Sequence, residues 1–152
     1  MTTIDVDLCS IQEARDLVRS GKVAADKIAF YSDEQIDLIL KNIVKTIEAN
    51  AYYLADLADE ETGFVKLNDK AYKNYSASTL LYNEMKQYRT SGVLSFDESK
   101  KVFKVAEPMG LLLGITPSTN PTSTIIFKSL IAIKSRNAIV FAPHPSAKRC
   151  SY

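Results

Sequence analysis

The stretch Leu111-Leu112-Leu113-Gly114-Ile115-Thr116-Pro117-Ser118-Thr119-Asn120-Pro121-Thr122-Ser123 is an apolar run that breaks into a Ser/Thr/Pro/Asn loop. Continuous apolar residues without alternation are the pattern of a strand covered on both faces, as in a parallel sheet. After the loop, Ile126, Phe127, Leu130, Ile131 and Ile133 predict a helix of about three turns, and Asn137-Ala138-Ile139-Val140-Phe141 a second buried strand. Strand, helix and strand over about thirty residues make one right-handed βαβ crossover, so the fold class is α/β. Two parallel strands cannot bury themselves, and Pro143-His144-Pro145-Ser146 reads as the loop opening a further helix. The chain therefore reads as the N-terminal part of a larger α/β protein, or as one that completes its sheet with another chain.

Upstream the texture changes at Gly92. Val93-Leu94-Ser95-Phe96, a polar turn at Asp97-Glu98-Ser99-Lys100, and Lys101-Val102-Phe103-Lys104-Val105 predict a two-stranded ribbon with one wet face. Residues 10 to 90 read as helical. Ser32-Asp33-Glu34-Gln35 forms a capping-box pattern ahead of Ile36, Ile39, Leu40, Ile43, Val44 and Ile47 on one helical face. Asn50 interrupts that face, Leu54, Leu57 and Ala58 continue it, and Gly63 stands where a left-handed cap belongs. Ile11 to Val18 predicts a short helix, and Asn68-Asp69 a cap for a helix through Ala71, Tyr75, Ser78, Leu81, Tyr82 and Met85.

Composition narrows the function classes. With 152 residues, 46% of them hydrophobic and 24% charged, the chain is an ordinary globular domain rather than a disordered or disulfide-scaffolded one. Nineteen Lys and Arg against 18 Asp and Glu leave a charge of +1, too little to hold a nucleic acid or an anionic membrane. No apolar run is long enough to span a bilayer, and the acidic N-terminal stretch lacks a secretory core, so a cytoplasmic location is expected. Cys9 and Cys150 show no metal or redox spacing; Cys150 reads as a structural residue and Cys9 as a surface or packing residue. Tyr52, Tyr53, Tyr72, Tyr75, Tyr82 and Tyr88 fall at helical spacings and read as core and interface packing.

In an open α/β sheet, ligands bind where loops leave the carboxyl ends of the strands and the next helix offers free N–H groups. That places Ile115, Thr116, Pro117, Ser118, Thr119 and Asn120 at a candidate site whose hydroxyls and amide suit a phosphate, a ribose or an oxyanion. The same residues also serve as an ordinary loop, with Thr122 or Ser123 capping the helix. The usual Gly-rich dinucleotide fingerprint is absent. Pro143 and His144 lie at the same sheet edge, where the single histidine either contacts a nucleotide or fixes the turn.

Several of these segments together resemble a known family: Ala106-Glu107-Pro108-Met109-Gly110, Gly114 to Thr124, Phe127-Lys128-Ser129-Leu130, Ser135-Arg136-Asn137 and Pro143 to Lys148. Tyr72-Lys73-Asn74, Tyr82-Asn83 and Ser91-Gly92-Val93-Leu94-Ser95 extend the likeness over nearly the whole chain. The pattern is similar to the CoA-acylating branch of the aldehyde dehydrogenase superfamily, most of all to the N-terminal part of bifunctional aldehyde-alcohol dehydrogenases.

The resemblance implies an NAD-linked enzyme that converts acetaldehyde or another short aldehyde, with coenzyme A, to the acyl-CoA and back. In that family a cysteine thiolate attacks the aldehyde, hydride passes to the nicotinamide, and CoA takes the acyl group. The resemblance implies cofactor contacts at Ile115, Thr116, Pro117, Ser118, Thr119, Asn120, Pro143 and His144. It also implies an oxyanion donor at Asn120 or Thr119, because the two prolines align with the family motif in a register that leaves both open. Ala142-Pro143 replaces the Lys-Pro of non-acylating members. The family's nucleophilic cysteine has no counterpart in these residues. The organisation implied is a helical segment over residues 1–92, a ribbon and possible oligomerisation element over 93–108, and the start of a Rossmann-like NAD-binding domain over 109–152. A homo-oligomer is expected, with no metal. The competing reading is a short non-enzymatic interaction protein derived from the same fold.

Overall fold

The computed structural model describes residues 5–64 and 66–152. Helix α1, Val6–Ile28, starts at Asp5, whose carboxylate accepts from the N–H groups of Asp7 and Leu8. It runs well beyond the expected Ile11 to Val18, continuing through Gly21 to a buried Ala25 near its end. Helix α2, Asp33–Thr62, begins with the expected capping box and ends at Gly63, whose φ of 65° is the left-handed conformation glycine adopts without strain. Asn50 does not break it, since its side-chain amide donates back to the Thr46 carbonyl at 2.8 Å and the ladder continues.

Helix α3, Leu67–Tyr75, passes through a π-helical segment, Ser76–Leu80, into α4, Leu81–Met85. Lys66 rather than Asn68 or Asp69 holds the N-cap position, so those two residues lie inside the first turn. Strands β1, Gly92–Asp97, and β2, Val102–Ala106, pair antiparallel with a register irregularity between Val93 and Ser95. Both ribbon faces are open, not one: Val93, Leu94, Phe96, Val102, Phe103 and Val105 are all exposed.

Strands β3, Leu111–Thr116, and β4, Ala138–Pro143, pair in parallel, joined by helix α5, Pro121–Lys134, which completes the expected βαβ unit. Helix α1 packs against β3 and β4, where Gly21 lets its backbone come against Leu111 and Val140. Its reach ends there. Leu113 and Ile115, two and four residues along the same face as Leu111, are 68% and 67% exposed, so the apolar run is not covered on both faces as expected.

The turn from α5 to β4 is tied back to the start of α2. Arg136, at φ 56°, donates from Nε to the Tyr31 carbonyl at 2.8 Å and from its guanidinium to Asp33. That guanidinium bond holds the Asp33 carboxyl below the usual carboxylate range. Next to it, Asn137 accepts the Gly110 N–H at 2.9 Å, joining the two strand entrances.

The main core lies between α2, α4 and α5. Ile36, Leu40, Val44, Ile47, Tyr82, Met85, Ile126 and Leu130 form it. Tyr82 alone of the tyrosines is core; its hydroxyl donates to Asp37 at 2.7 Å, while Tyr52, Tyr53, Tyr72, Tyr75 and Tyr88 are exposed. Burial first, and then the Asp37 carboxylate, raise the Tyr82 hydroxyl to about 12.

Candidate active site

The β3 to α5 loop leaves the carboxyl edge of the sheet as the sequence predicts, and Thr116 pairs with Pro143 in register, so both loops start from one edge. Thr116 is buried, and its hydroxyl has no hydrogen-bond partner among the described residues. The Ile115 carbonyl accepts from the Lys128 ammonium at 2.6 Å, which anchors the loop to α5. Pro117 and Thr119 are exposed, and Ser118 is half-buried.

Asn120, rather than Thr122 or Ser123, occupies the N-cap position of α5, yet its side chain makes no capping bond. Its carbonyl accepts from the Thr124 N–H at 3.1 Å. Pro121 follows at the first helical position, where a missing N–H costs nothing, and the N–H groups of Thr122 and Ser123 have no acceptor inside the helix. Freed from capping, the Asn120 side chain receives a hydrogen bond on Oδ1 from the Lys73 ammonium at 2.9 Å. Its Nδ2 lies 3.5 Å from the Thr119 hydroxyl, a weak contact.

Asn120 lines an open cavity of about 440 Å³ with Lys73, Ser76, Ala77, Ser123, Thr124 and Phe127. One wall is α5, and the other is α3 with its π-helical segment, a local widening often found at functional sites. The two walls are pinned by a buried polar chain. Thr122 donates to Asn74 Oδ1 at 2.9 Å, Asn74 donates from Nδ2 to the Ala51 carbonyl at 3.1 Å, and Ser78 donates to the Asn74 carbonyl at 2.8 Å. Lys70, one turn before Asn74, is 3% exposed with no partner for its ammonium among the described residues, and burial pushes that ammonium below the usual lysine range. In the sequence, Lys70 has no assigned role, and Lys73 and Asn74 enter only as part of the family resemblance. Helical spacing alone does not reveal that α3 faces the start of α5, forty-odd residues away in sequence.

His144 is engaged by its own turn, with Nδ1 accepting from the Ser146 N–H at 3.2 Å and lying 2.7 Å from the Ser146 hydroxyl. It does not line the Asn120 cavity. Neither cysteine reaches that cavity. Cys9 is exposed on α1, whereas Cys150 is buried beside Ala58 and Ala147 with its thiol raised to about 11 by burial first and the Glu61 carboxylate second. A thiol with that pKa is almost wholly protonated at neutral pH and is a poor nucleophile. A chromogenic disulfide reagent should therefore label one thiol, Cys9, in the native protein and both in denaturant; rapid labelling of both in the native state would contradict the burial of Cys150.

Comparison with known proteins agrees with this architecture. Residues 2–152 match the aldehyde dehydrogenase family. The bifunctional aldehyde-alcohol dehydrogenase of Escherichia coli (strain K12) is 43% identical over 139 residues, covering 91% of this chain and 16% of that protein. Among solved structures, an acetylating aldehyde dehydrogenase from Geobacillus thermoglucosidasius superposes with a TM-score of 0.92 at 45% identity, covering 98% of this chain and 33% of the other. A propionaldehyde dehydrogenase from Rhodopseudomonas palustris, solved with bound CoA, gives a TM-score of 0.71 at 26% identity, covering 90% of this chain and 31% of the other. The chain thus spans about a sixth of its curated bifunctional relative and about a third of these structures. The βαβ unit, the loop from Thr116 to Asn120 and the family match over nearly every residue point the same way: the chain belongs to the aldehyde dehydrogenase family.

Proposed function

We propose that this chain forms part of the substrate and cofactor region of a nicotinamide-dependent, CoA-acylating aldehyde dehydrogenase acting on acetaldehyde or another short aldehyde. The observation that carries the reading is the Asn120 amide at the start of α5, whose Nδ2 has only a weak contact to Thr119, so that a side-chain donor can meet an oxygen that becomes negative as a tetrahedral adduct forms. Of the two oxyanion candidates, Asn120 is favoured, because its side chain lines the cavity whereas Thr119 is not among the lining residues.

A nicotinamide and CoA, when bound, supply the hydride acceptor and the acyl acceptor. The residues present fit such polar groups. The buried Thr116 hydroxyl lacks a partner, the first-turn N–H groups of α5 are free, and Ser118 and Thr119 add hydroxyls at the same edge. Ile115, Thr116, Pro117, Ser118, Thr119 and Asn120, with Pro143 on the neighbouring strand, are the proposed cofactor contacts. His144 remains a candidate only through its backbone and the outer face of its ring, since Nδ1 is held by Ser146. Residues 93–108 are proposed as an oligomerisation element of a homo-oligomer, because the ribbon exposes apolar side chains on both faces. Residues 1–92 and 109–152 are proposed as the helical segment and the start of the cofactor domain. No described helix is long and apolar enough to cross a membrane.

The test is a chimera in which this chain replaces the matching third of the Geobacillus enzyme. It is expected to form NADH from acetaldehyde only when CoA is present. The 152-residue chain by itself should form none, because Cys9 and Cys150 both lie away from the Asn120 cavity and Cys150 is protonated. A folded chimera without CoA-dependent turnover, or turnover by the chain alone that Cys150→Ser abolishes, would overturn the proposal.

A further inference from the structure

We infer that Lys73 is the positioning residue for the Asn120 amide, a role that rests on the oxyanion reading of Asn120 above. A carboxamide presents two ends of similar shape and opposite function, and an oxyanion donor must present the nitrogen. Lysine ammonium carries three N–H donors and no acceptor, so the only end of Asn120 it can hold is Oδ1. The 2.9 Å contact from Lys73 Nζ to Oδ1 therefore fixes the amide so that Nδ2, whose contact to the Thr119 hydroxyl is a weak 3.5 Å, is the end left to donate. A flipped amide would turn its carbonyl oxygen toward a developing negative charge and repel it.

Three further observations support this assignment. Lys73 forms no ion pair among the described residues, so no carboxylate competes for its ammonium. The backbone that carries it is rigid relative to α5, because its neighbour Asn74 is fully buried and bonded to Thr122, two residues after Asn120. Lys73 and Asn120 both line the cavity, so the contact between them is made at the cavity wall. Adjacent residues of α3 thus set the backbone position and the side-chain orientation of the same helix start.

The experiment uses the chimera for kinetics and the 152-residue chain, labelled with 15N, for the amide itself. Lys73→Met is expected to lower kcat about tenfold with KM unchanged, the signature of an interaction made in the transition state. Lys73→Arg, which keeps a donor-only cation, should restore most of the loss. In an Asn120→Ala background Lys73→Met should have no further effect, since the residue it orients is gone. In the labelled chain, Lys73→Met should shift the Asn120 side-chain amide resonances and leave the backbone spectrum of α2 unchanged, which also shows that the fold survives. Four results would overturn the inference: additive losses in the double variant, unmoved amide resonances, no rescue by arginine, or unchanged kcat in Lys73→Met while Asn120→Ala is impaired. An Asn120→Ala variant with normal kcat would instead sink the oxyanion reading, and the role of Lys73 with it.

Discussion

Replacing Asn120 with Ala in the chimera should lower kcat by about a hundredfold or more while leaving KM for the aldehyde nearly unchanged. Removal of one donor aimed at a developing oxyanion costs on the order of 100- to 1,000-fold in turnover, because the lost hydrogen bond strengthens only as charge builds on the oxygen. Its Nδ2 is available for this work because Oδ1 is held by Lys73 and Nδ2 has only a weak 3.5 Å contact to the Thr119 hydroxyl. Thr119→Ala should have a smaller effect, since Thr119 is exposed and does not line the cavity. Steady-state kinetics on the two variants decide the assignment. A larger loss from Thr119→Ala would move the donor one residue earlier, the other register that the proline spacing permits. Equal, small losses from both would leave the site without an oxyanion function.

The second large effect is structural. Leu130→Ala should destabilise the 152-residue chain by about 2–5 kcal/mol, a large share of the roughly 5–15 kcal/mol that holds a typical domain folded. Leu130 is fully buried in the cluster formed with Ile36, Leu40, Val44 and Ile47 of α2, and it ties α5 to the rest of the molecule. Removing its side chain loses the transfer free energy and leaves a void that helices locked on both sides fill poorly. At this chain length the melting temperature should fall by about 10 °C. Ile131→Ala is the control. Ile131 is 42% exposed on the same helix, so its truncation removes similar helix-forming material with little cavity and should cost well under half as much. Indistinguishable melting curves for the two variants would mean that α5 is not held through Leu130.

Acid should expose a weaker linkage at the chain's last turns. Glu61 accepts the backbone N–H groups of Arg149 at 2.9 Å and Cys150 at 2.7 Å, and the Arg149 bond is the main cause of its lowered pKa. A carboxyl depressed in the folded state contributes stability above its unfolded pKa and loses it as pH falls through the folded one. The docking of residues 145–151 on α2 therefore weakens in acid.

Local chemistry made much of the fold legible. The capping box at Ser32, the left-handed glycine at Gly63, the apolar face from Ile36 to Ile47, the period change at Gly92 and the strand-loop-helix-strand order after Leu111 each depend on residues close in sequence. Backbone preference and hydrophobic periodicity act at that range, so the elements could be read directly. The Thr116 to Asn120 loop was placed by the same logic, since the carboxyl edge of a parallel strand follows from strand direction alone.

What the tertiary structure decided is how far each surface is covered and which distant groups meet. Five of the six tyrosines at helical spacings are exposed, because periodicity marks a face without saying whether another element lies on it. The run from Leu111 to Ile115 is apolar throughout, yet α1 meets it at Leu111, against Gly21, and leaves Leu113 and Ile115 exposed. Lys73 meets Asn120 across 47 residues, and Asn74 meets Thr122 across 48, by the packing of α3 on the start of α5. Residue type alone says which side chains can donate, accept or cap; only packing determined that a lysine with no acceptor atoms would meet the oxygen of Asn120.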